Sequence, residues 1–302
     1  MFQAITTNKT KTTLIVSVIF IFFVAVIYLI SYFLLELGVF SVIIALVISA
    51  LVSFGAYWNS DKLILRIHNA RPATPQQDAQ LKNILEGLCI AAGVPKPRLY
   101  VMEDPSMNAF ATGRNPDNAV ICVTTGLLKS LDYYELEGVV AHELAHIKNY
   151  DILLQTVAGV MIGAVIIASN FAARMMFWGG AGRSRSNNSG GGPVQLAIIV
   201  IGLLLVILAP IAGQMLKMLL SRNREFLADA TAVEFTRNPE GLAGALEKLG
   251  GSKVPLERSS NATEGMYIVT PCAQLRSGKR KSSLFSTHPP IEARVKAIRN
   301  IR

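Results

Sequence analysis

Residues 142–146 read His-Glu-Leu-Ala-His, and they hold the residue types that hydrolytic metal chemistry needs. On a helix, His142 and His146 lie about 40° apart around the axis, so both imidazoles can bind one metal ion. Glu143 can reach a water on that ion and act as a general base. Gly138, one turn earlier, keeps that helical face uncrowded. The spacing therefore predicts a zinc site with two histidine ligands and one carboxylate base.

A catalytic zinc also needs a third protein ligand and one open position. The extended motif that supplies a third histidine requires glycine at position 149 and histidine at position 152. The chain has Asn149 and Ile152, which excludes that class. Of the remaining candidates, Glu225 is favoured over His68 and His288.

Glu225 lies in the run Ser-Arg-Asn-Arg-Glu-Phe-Leu-Ala-Asp-Ala at residues 221–230. Asp229 follows one helical turn later on the same face and can orient a ligating histidine. The spacing alone leaves an alternative open, in which Glu225 and Asp229 form a solvated face paired with Arg222 and Arg224.

The chain has 302 residues, of which 51% are hydrophobic, and its mean hydropathy is +0.42. The apolar residues gather into four blocks of more than twenty residues, each long enough to cross the roughly 30 Å hydrocarbon core of a bilayer. The third block contains Gln155, Asn170 and Arg174, so a buried or half-inserted hairpin is the alternative for the last two blocks. The blocks cover residues 14–35, 37–58, 153–178 and 194–220.

Charge distribution predicts the orientation of these spans. The segment 59–152 carries nine lysines and arginines, the segment after residue 220 carries more, and the 36–37 turn carries none. Basic segments stay in the cytosol, and the net charge of +9 suits a surface facing anionic lipid. We expect a membrane hairpin at 1–58, catalytic parts at 59–152 and 221–302, and a second hairpin at 153–220 with a Gly/Ser connector. The sequence has no run that combines basic and aromatic residues as a nucleic-acid-binding surface would, so nucleic-acid binding is not predicted.

The polar parts of the chain predict a mixed domain. Apolar periodicity favours a helix over 75–92, and β-rich runs at 98–102, 108–112 and 119–124 predict a small sheet. Asp132 and Glu135 form a capping-box pattern at the start of the His-Glu-Leu-Ala-His helix. The expected fold class is mainly α, with four transmembrane helices and a cytosolic zincin-like α+β metalloprotease domain.

Three cysteines, without a C-x-x-C pair, argue against a disulfide framework and suit a reducing cytosol. Cys89 and Cys122 lie in apolar runs and are expected in the core.

Four motifs together resemble the HtpX-type membrane metalloproteases over nearly the whole chain. The first is the pentad His-Glu-Leu-Ala-His at 142–146 followed by Ile-Lys-Asn-Tyr-Asp at 147–151. The others are the run at 221–230, Asn-Ala-Phe-Ala-Thr-Gly at 108–113, and Ser-Thr-His-Pro-Pro at 286–290. The resemblance implies a gluzincin, related to the CaaX-prenyl endopeptidases, in the bacterial cytoplasmic membrane. It implies His142, His146 and Glu225 as ligands of one zinc ion and an active site facing the cytosol.

The resemblance also implies a role in quality control of misfolded membrane proteins and unfolded polypeptides, beside the FtsH protease. His288 is expected to donate to the tetrahedral oxyanion, with a structural histidine at a helix start as the alternative. Residues 108–112 are expected to form an edge strand that pairs with extended substrate, with an ordinary strand as the alternative. That run is Asn108, Ala109, Phe110, Ala111 and Thr112. Asp151 is expected to support the site or cap a helix rather than bind the metal.

The predicted activity is a metalloendopeptidase. The first alternative is a membrane scaffold or holdase that uses the same zinc structurally, but a structural zinc does not need the carboxylate of Glu143. The second is a transporter, which would need ionisable residues near mid-bilayer, and the first two blocks have none. The third is a prenyl endopeptidase, for which four short-looped spans form a smaller membrane chamber than expected.

Overall fold

The computed structural model describes residues 2–33, 37–74, 78–157, 159–160, 163, 169–170, 222–252, 254–256, 264–269 and 288–301. Helices dominate this part of the chain, and a four-stranded sheet accompanies them.

Two long apolar helices form an N-terminal hairpin. Helix α1 covers Phe2–Phe33, helix α2 covers Phe40–Ile67, and the two pack along each other. Both contain a stretch that is long and apolar enough, by length and composition, to cross a membrane. Their outer faces expose large apolar side chains, including Ile21 at 65% and Leu51 at 66%. Two of the four predicted spans are therefore present as candidate membrane helices.

Both helices extend beyond the apolar blocks that predicted them. Helix α1 begins at Phe2 rather than near Leu14, because its polar first turns continue the same backbone hydrogen bonding. Helix α2 passes the expected boundary at 58/59 and buries Ile64 and Leu65 beneath the sheet. Hydropathy locates the apolar part of a helix but not its ends. The predicted second hairpin and its Gly/Ser connector lie almost wholly outside the described residues.

The sheet contains the three predicted strands and one short strand that was not predicted. The strands are β1 (Arg71–Pro72), β2 (Arg98–Met102), β3 (Ala109–Thr112) and β4 (Val120–Thr124), in the order β1-β2-β4-β3. Strand β4 pairs with β2 in parallel and with β3 in antiparallel orientation. All side chains of β3 and β4 are buried, and β3 is the outer strand on its side of the sheet.

Helix α5 lies at the centre of the domain and carries the His-Glu-Leu-Ala-His pentad. The helices of the domain are α3 (Ala79–Ala92), α4 (Thr125–Ser130), α5 (Tyr133–Lys148), α6 (Arg222–Thr236), α7 (Pro239–Gly251) and α8 (Ile291–Arg299). The predicted capping box is present: Glu135 N–H donates to Asp132, and Asp132 N–H donates to the Glu135 carboxylate. Helix α5 contacts α3, α6, α7 and β3, so its polar side chains are enclosed by the core. A further helical run at 151–157 follows α5 after a two-residue turn at 149–150, where Tyr150 has a φ angle of 59°.

Gly138 packs against helix α7. It was expected to keep the metal-binding face of α5 uncrowded, but its role lies in this helix contact. A Cβ atom at this position would lie 2.7 Å from the backbone nitrogen of Leu242 and 2.8 Å from its Cα atom. Backbone atoms cannot rotate away as a side-chain end can. The glycine therefore permits the close approach of α5 and α7 that encloses the site.

We expect Gly138→Ala to destabilise the protein, because overpacking costs about 1–3 kcal/mol, more than the roughly 1 kcal/mol gained in helix propensity. Gly87→Ala is the matched control, since Gly87 lies within α3 and a Cβ atom there would meet nothing within 4 Å beyond its own helix turn. Thermal unfolding in detergent should show a lower midpoint for the first variant and an unchanged or higher one for the second. Equal unfolding midpoints for the two variants would mean that α5 and α7 can move apart to accept the methyl group without a loss of stability.

Candidate active site

The two histidines of the pentad face each other inside the domain. The side chains of His142 and His146 are almost fully buried, and their Nε2 atoms are 3.2 Å apart. This proximity follows from the i, i+4 spacing on α5, which places both rings on one helical face. Two nitrogen atoms thus point to one location.

Helix α6 brings the carboxylate of Glu225 to the same location. Its Oε1 atom lies 3.6 Å from His146 Nε2, and its Oε2 atom lies 3.8 Å from His142 Nε2. One ligand atom from each of the three residues falls within 4.8 Å of the others, and all three side chains are buried. The solvated-face alternative for Glu225 is therefore wrong. Two imidazoles and one carboxylate form a donor set that suits a catalytic metal ion.

Each histidine has a carboxylate behind it. His142 Nδ1 lies 3.0 Å from Asp229 Oδ1, and His146 Nδ1 lies 2.9 Å from Asp151 Oδ2. A carboxylate at Nδ1 favours the tautomer with its proton there, which leaves the Nε2 lone pair for a metal. The donor set and the orientation of both rings therefore fit a metal ion. The structure places Asp229 and Asp151 in the positions that the sequence suggested for supporting groups.

Burial and nearby charges set the protonation of the histidines. Burial lowers the pKa of His142 to about 4, despite its hydrogen bond to Asp229, and the charge of Arg294 adds to this effect. For His146, burial also opposes protonation, but Asp151 and Glu225 outweigh it and raise the pKa to about 9. A metal ion at Nε2 would compete with this proton, so metal affinity should depend on pH.

Glu143 lies on the same helix and is 2% exposed. The backbone N–H of Ala111, on the outer strand β3, donates to its carboxylate. Burial, with Glu225 nearby, raises the pKa of Glu143 to about 7, although His146 and Arg294 act in the opposite direction. A carboxylate with a pKa near neutrality can both accept and return a proton.

His288 precedes helix α8 and joins the site from the C-terminal part of the chain. Its Nδ1 atom lies 3.0 Å from Glu225 Oε2. The Pro-Pro pair leads into a helix, with Pro290 at its N-cap and Ile291 as its first residue. His68, the other histidine weighed as a ligand, lies elsewhere, with Nδ1 at 3.0 Å from the hydroxyl of Tyr267.

Arg294 is a site residue that no sequence motif indicated. Its side chain is 1% exposed, and it donates to both oxygens of Asp229 at 2.9 and 2.7 Å. Its Nη1 atom also lies 3.6 Å from Glu225 Oε2. The available signal was its position beside Val295 and before Ile298, on the apolar face of the last helix. An arginine on such a face needs a buried anionic partner.

The expected substrate strand is the outer strand of the sheet, but part of its edge is covered. Ile268 N–H donates to Ala109 O at 3.0 Å, and the Asn108 side-chain amide donates to Val269 O at 2.9 Å. At the other end, Thr112 Oγ1 lies 3.0 Å from Thr156 Oγ1. Between these two contacts, Ala111 faces Glu143.

Cys89 and Cys122 are both buried and free, as expected, and Cys272 lies outside the described residues.

The fold and the site together define a metallopeptidase with candidate membrane-spanning helices. Residues 75–302 match the family model described as Peptidase family M48, and the chain belongs to that family. This membership confirms the predicted metalloprotease class and argues against the scaffold and transporter alternatives.

The chain is also similar over its whole length to bacterial proteins named "Protease HtpX homolog". One from Dictyoglomus thermophilum is 46% identical over 299 residues, which cover 99% of this chain and 94% of that protein. One from Listeria monocytogenes serotype 4a is 42% identical over 306 residues and covers both proteins fully. One from Streptococcus uberis is 37% identical over 301 residues, again covering both fully. The predicted resemblance to HtpX-type proteases is confirmed.

A solved structure shares the fold. The crystal structure of S. mikatae Ste24p superposes with a TM-score of 0.51 at 16% identity, covering 99% of this chain and 67% of that one.

Proposed function

We propose that this protein is a zinc-dependent endopeptidase of the bacterial cytoplasmic membrane that cleaves cytosolic segments of misfolded or damaged membrane proteins. The observation that carries the proposal is the buried group of His142, His146 and Glu225, with Glu143 beside it. The expected partners are the lipid bilayer, membrane-protein and unfolded polypeptide substrates, and the FtsH quality-control system.

The donor set favours zinc. Two neutral imidazoles and one carboxylate are a common protein ligand set for catalytic zinc, and they leave a position for water or substrate. A zinc ion held by these residues would act as a Lewis acid and lower the pKa of water toward neutrality.

The side chains around the three ligand residues have separate roles in the proposed reaction. The Glu143 carboxylate takes a proton from the attacking water and later passes it to the leaving amine. His288 donates a hydrogen bond to the oxyanion that develops on the substrate carbonyl. The Asp229 and Asp151 carboxylates hold the Nδ1 protons of the two histidines. Arg294 neutralises Asp229 and so keeps that carboxylate charged in a buried position.

Strand β3 is the proposed contact surface for an extended substrate. A peptide paired at Ala111 would lie beside Glu143, with its scissile carbonyl open to the water that Glu143 deprotonates. The Ala111 N–H, which donates to the Glu143 carboxylate in this structure, would then donate to the peptide. Because the edge at Ala109 is paired with Ile268, we expect only a short stretch of substrate to pair with β3.

The position of the site relative to the membrane helices supports juxtamembrane cleavage. His146 is seven residues before Leu153, where the third apolar block begins, and Glu225 is five residues after Leu220, where the fourth ends. The path from His146 to Leu153 consists of the end of α5, a turn at 149–150 and a new helical run from Asp151, so only a short stretch of chain separates the site from the third apolar block. The contact between Asn8 of α1 and Asp151 also brings the start of a candidate span to the site. The basic charge of segment 59–152 favours the cytosolic side.

We expect cuts in cytosolic loops and juxtamembrane tails when a multi-spanning substrate is reconstituted with the enzyme in vesicles. The reason is that emerging segments meet the site, whereas a folded soluble protein meets the bilayer first. Cleavage positions can be mapped by mass spectrometry of the products. Vesicles with the Glu143→Gln variant provide the background of spontaneous or contaminating cleavage.

Cuts concentrated in periplasmic loops would show that the proposed topology is reversed. If a folded soluble protein were cleaved as fast as the membrane substrate, the closeness of the site to the bilayer would not explain substrate choice. Loss of all cleavage after zinc removal, with recovery on adding zinc, is expected in either case.

A further inference from the structure

Asn8 is a buried polar residue near the start of the first candidate membrane helix. Its side chain is almost fully enclosed, and its Nδ2 atom donates to Asp151 Oδ1 at 2.6 Å and to the Asn149 carbonyl at 3.1 Å. These bonds join residues more than 140 positions apart in the sequence. A buried amide without such partners would be costly, so the contact fixes the helix relative to residues 149–151.

Asp151 is the residue on which three parts of the chain meet. Its Oδ2 atom lies 2.9 Å from His146 Nδ1, and its Oδ1 atom receives Asn8 and lies 3.1 Å from Arg224 Nε. Arg224 directly precedes Glu225 on α6. One carboxylate, 1% exposed, is therefore shared by the first candidate membrane helix, by the metal-site residue His146 and by Arg224, the neighbour of Glu225.

Apolar packing independently fixes the position of Asn8. Ile15 and Ile19, two to three turns further along α1, form a buried cluster with Leu153, Leu154 and Val157 of the run that follows Asp151. The same helical face of α1 thus contacts the 151–157 run through an amide at one end and through apolar side chains beyond it. Sliding or rotating α1 would disturb both contacts.

We infer that Asn8 is a positioning residue of the metal site, which makes the first membrane helix part of the machinery that orients His146. Asn8 holds Asp151 by Oδ1, and Asp151 then holds the His146 ring by Oδ2 in the orientation that directs Nε2 toward the ligand group. Two donors on Oδ1 leave the carboxylate little freedom to rotate away from the ring. The inference rests on the proposed metal at His142, His146 and Glu225.

The test compares Asn8→Leu with Thr12→Val in the full-length protein purified in detergent. Leucine is similar in size to asparagine but cannot donate to Asp151. Thr12 lies one turn further along α1 and is also buried, and its hydroxyl donates to the Asn8 carbonyl within the same helix. Thr12→Val therefore removes a buried polar group from the same helix and leaves the Asn8 side chain free to bind Asp151.

Zinc affinity, measured by competition with a chelator, is the first readout. Loss of an outer-shell partner weakens metal binding by about 10–100-fold, and we expect Asn8→Leu to fall near the lower end because it acts through Asp151. We expect Thr12→Val to bind zinc like the wild type. The visible absorption spectrum of the cobalt-substituted protein should change in Asn8→Leu, because it reports ligand geometry.

Asp151→Asn and the double variant separate positioning from general stability. If Asn8 acts through Asp151, Asn8→Leu should weaken zinc binding in the wild type but have little further effect in the Asp151→Asn background. Thermal unfolding of the zinc-free proteins records any stability change that is unrelated to the metal.

The inference is overturned if Asn8→Leu lowers the zinc-free unfolding midpoint while zinc affinity and the cobalt spectrum match those of Thr12→Val. Additive losses of zinc affinity in the double variant would also overturn it. Failure of the proposed function looks different, because the wild-type protein itself would then bind no stoichiometric zinc.

Discussion

Replacing Glu143 with glutamine is expected to abolish peptide hydrolysis and leave the metal bound. The carboxylate is buried beside the ligand group but is not one of the three residues whose ligand atoms converge. Glutamine keeps the size and can still hydrogen-bond, yet it cannot accept a proton. Loss of a general base costs roughly 10²–10⁴-fold in rate, which makes this one of the two largest effects expected. Casein cleavage and bound zinc, measured on the same preparation, check it.

Glu137→Gln is the matched control for this substitution. Glu137 lies on the same helix, is partly exposed and is absent from the converging metal group. We expect it to retain activity within a few-fold of wild type. Wild-type turnover in Glu143→Gln with zinc in place would exclude Glu143 as the base.

The second large effect is expected for Glu225→Ala. This change removes one of the three converging ligand atoms and leaves two imidazoles to hold the metal. We expect zinc affinity to fall by more than the about 10–100-fold typical of an outer-shell loss, and activity to fall with it. Asp229→Ala should show the smaller, outer-shell effect, because Asp229 contacts the Nδ1 side of His142. Chelator competition followed by metal analysis gives both values.

Glu234→Ala controls for changes in helix α6. Glu234 lies on the same helix and is exposed, so its loss should leave zinc binding unchanged. Full zinc occupancy of Glu225→Ala at low free metal would show that another residue is the third ligand. His288 would then be the next candidate, since its Nδ1 atom lies 3.0 Å from Glu225 Oε2, whereas Asp151 contacts the Nδ1 side of His146, away from the converging Nε2 atoms.

Both helices of the N-terminal hairpin, which are the candidate membrane spans, contact the rest of the protein close to the site. Helix α1 reaches Asp151 through Asn8. Helix α2 ends next to His68, whose ring packs against Phe110 of β3 and Tyr267. Phe110 is on the outer strand, so helix α1 contacts the metal side of the site and helix α2 contacts the proposed substrate side. A soluble fragment lacking residues 1–58 would lose the first contact.

Features that depend on neighbours in the sequence were predictable. The i, i+4 spacing of His142 and His146 follows from the helical repeat, and the capping box fixed the start of that helix at Asp132. Apolar length identified the two N-terminal candidate spans. The four motifs indicated the family, which sequence similarity then confirmed.

Tertiary structure decided which distant residues meet. Glu225 is 79 positions after His146, so helical spacing could not choose between it, His68 and His288. Packing of α6 on α5 brings Glu225 to the two histidines, while His68 points to Tyr267.

The contacts of Arg294, Asn8 and Gly138 could likewise not be predicted from the sequence. Each depends on the side chain or backbone of another element: Asp229 for Arg294, Asp151 for Asn8, and Leu242 for Gly138. Local sequence thus determined the helix that carries the chemistry and the residues able to perform it. The contact of Glu225 with the two histidines, the contact of Asp229 with His142 and the link from Asp151 to the first candidate membrane helix arise only when the core packs. Their partners lie far apart in the chain, and no periodicity relates them.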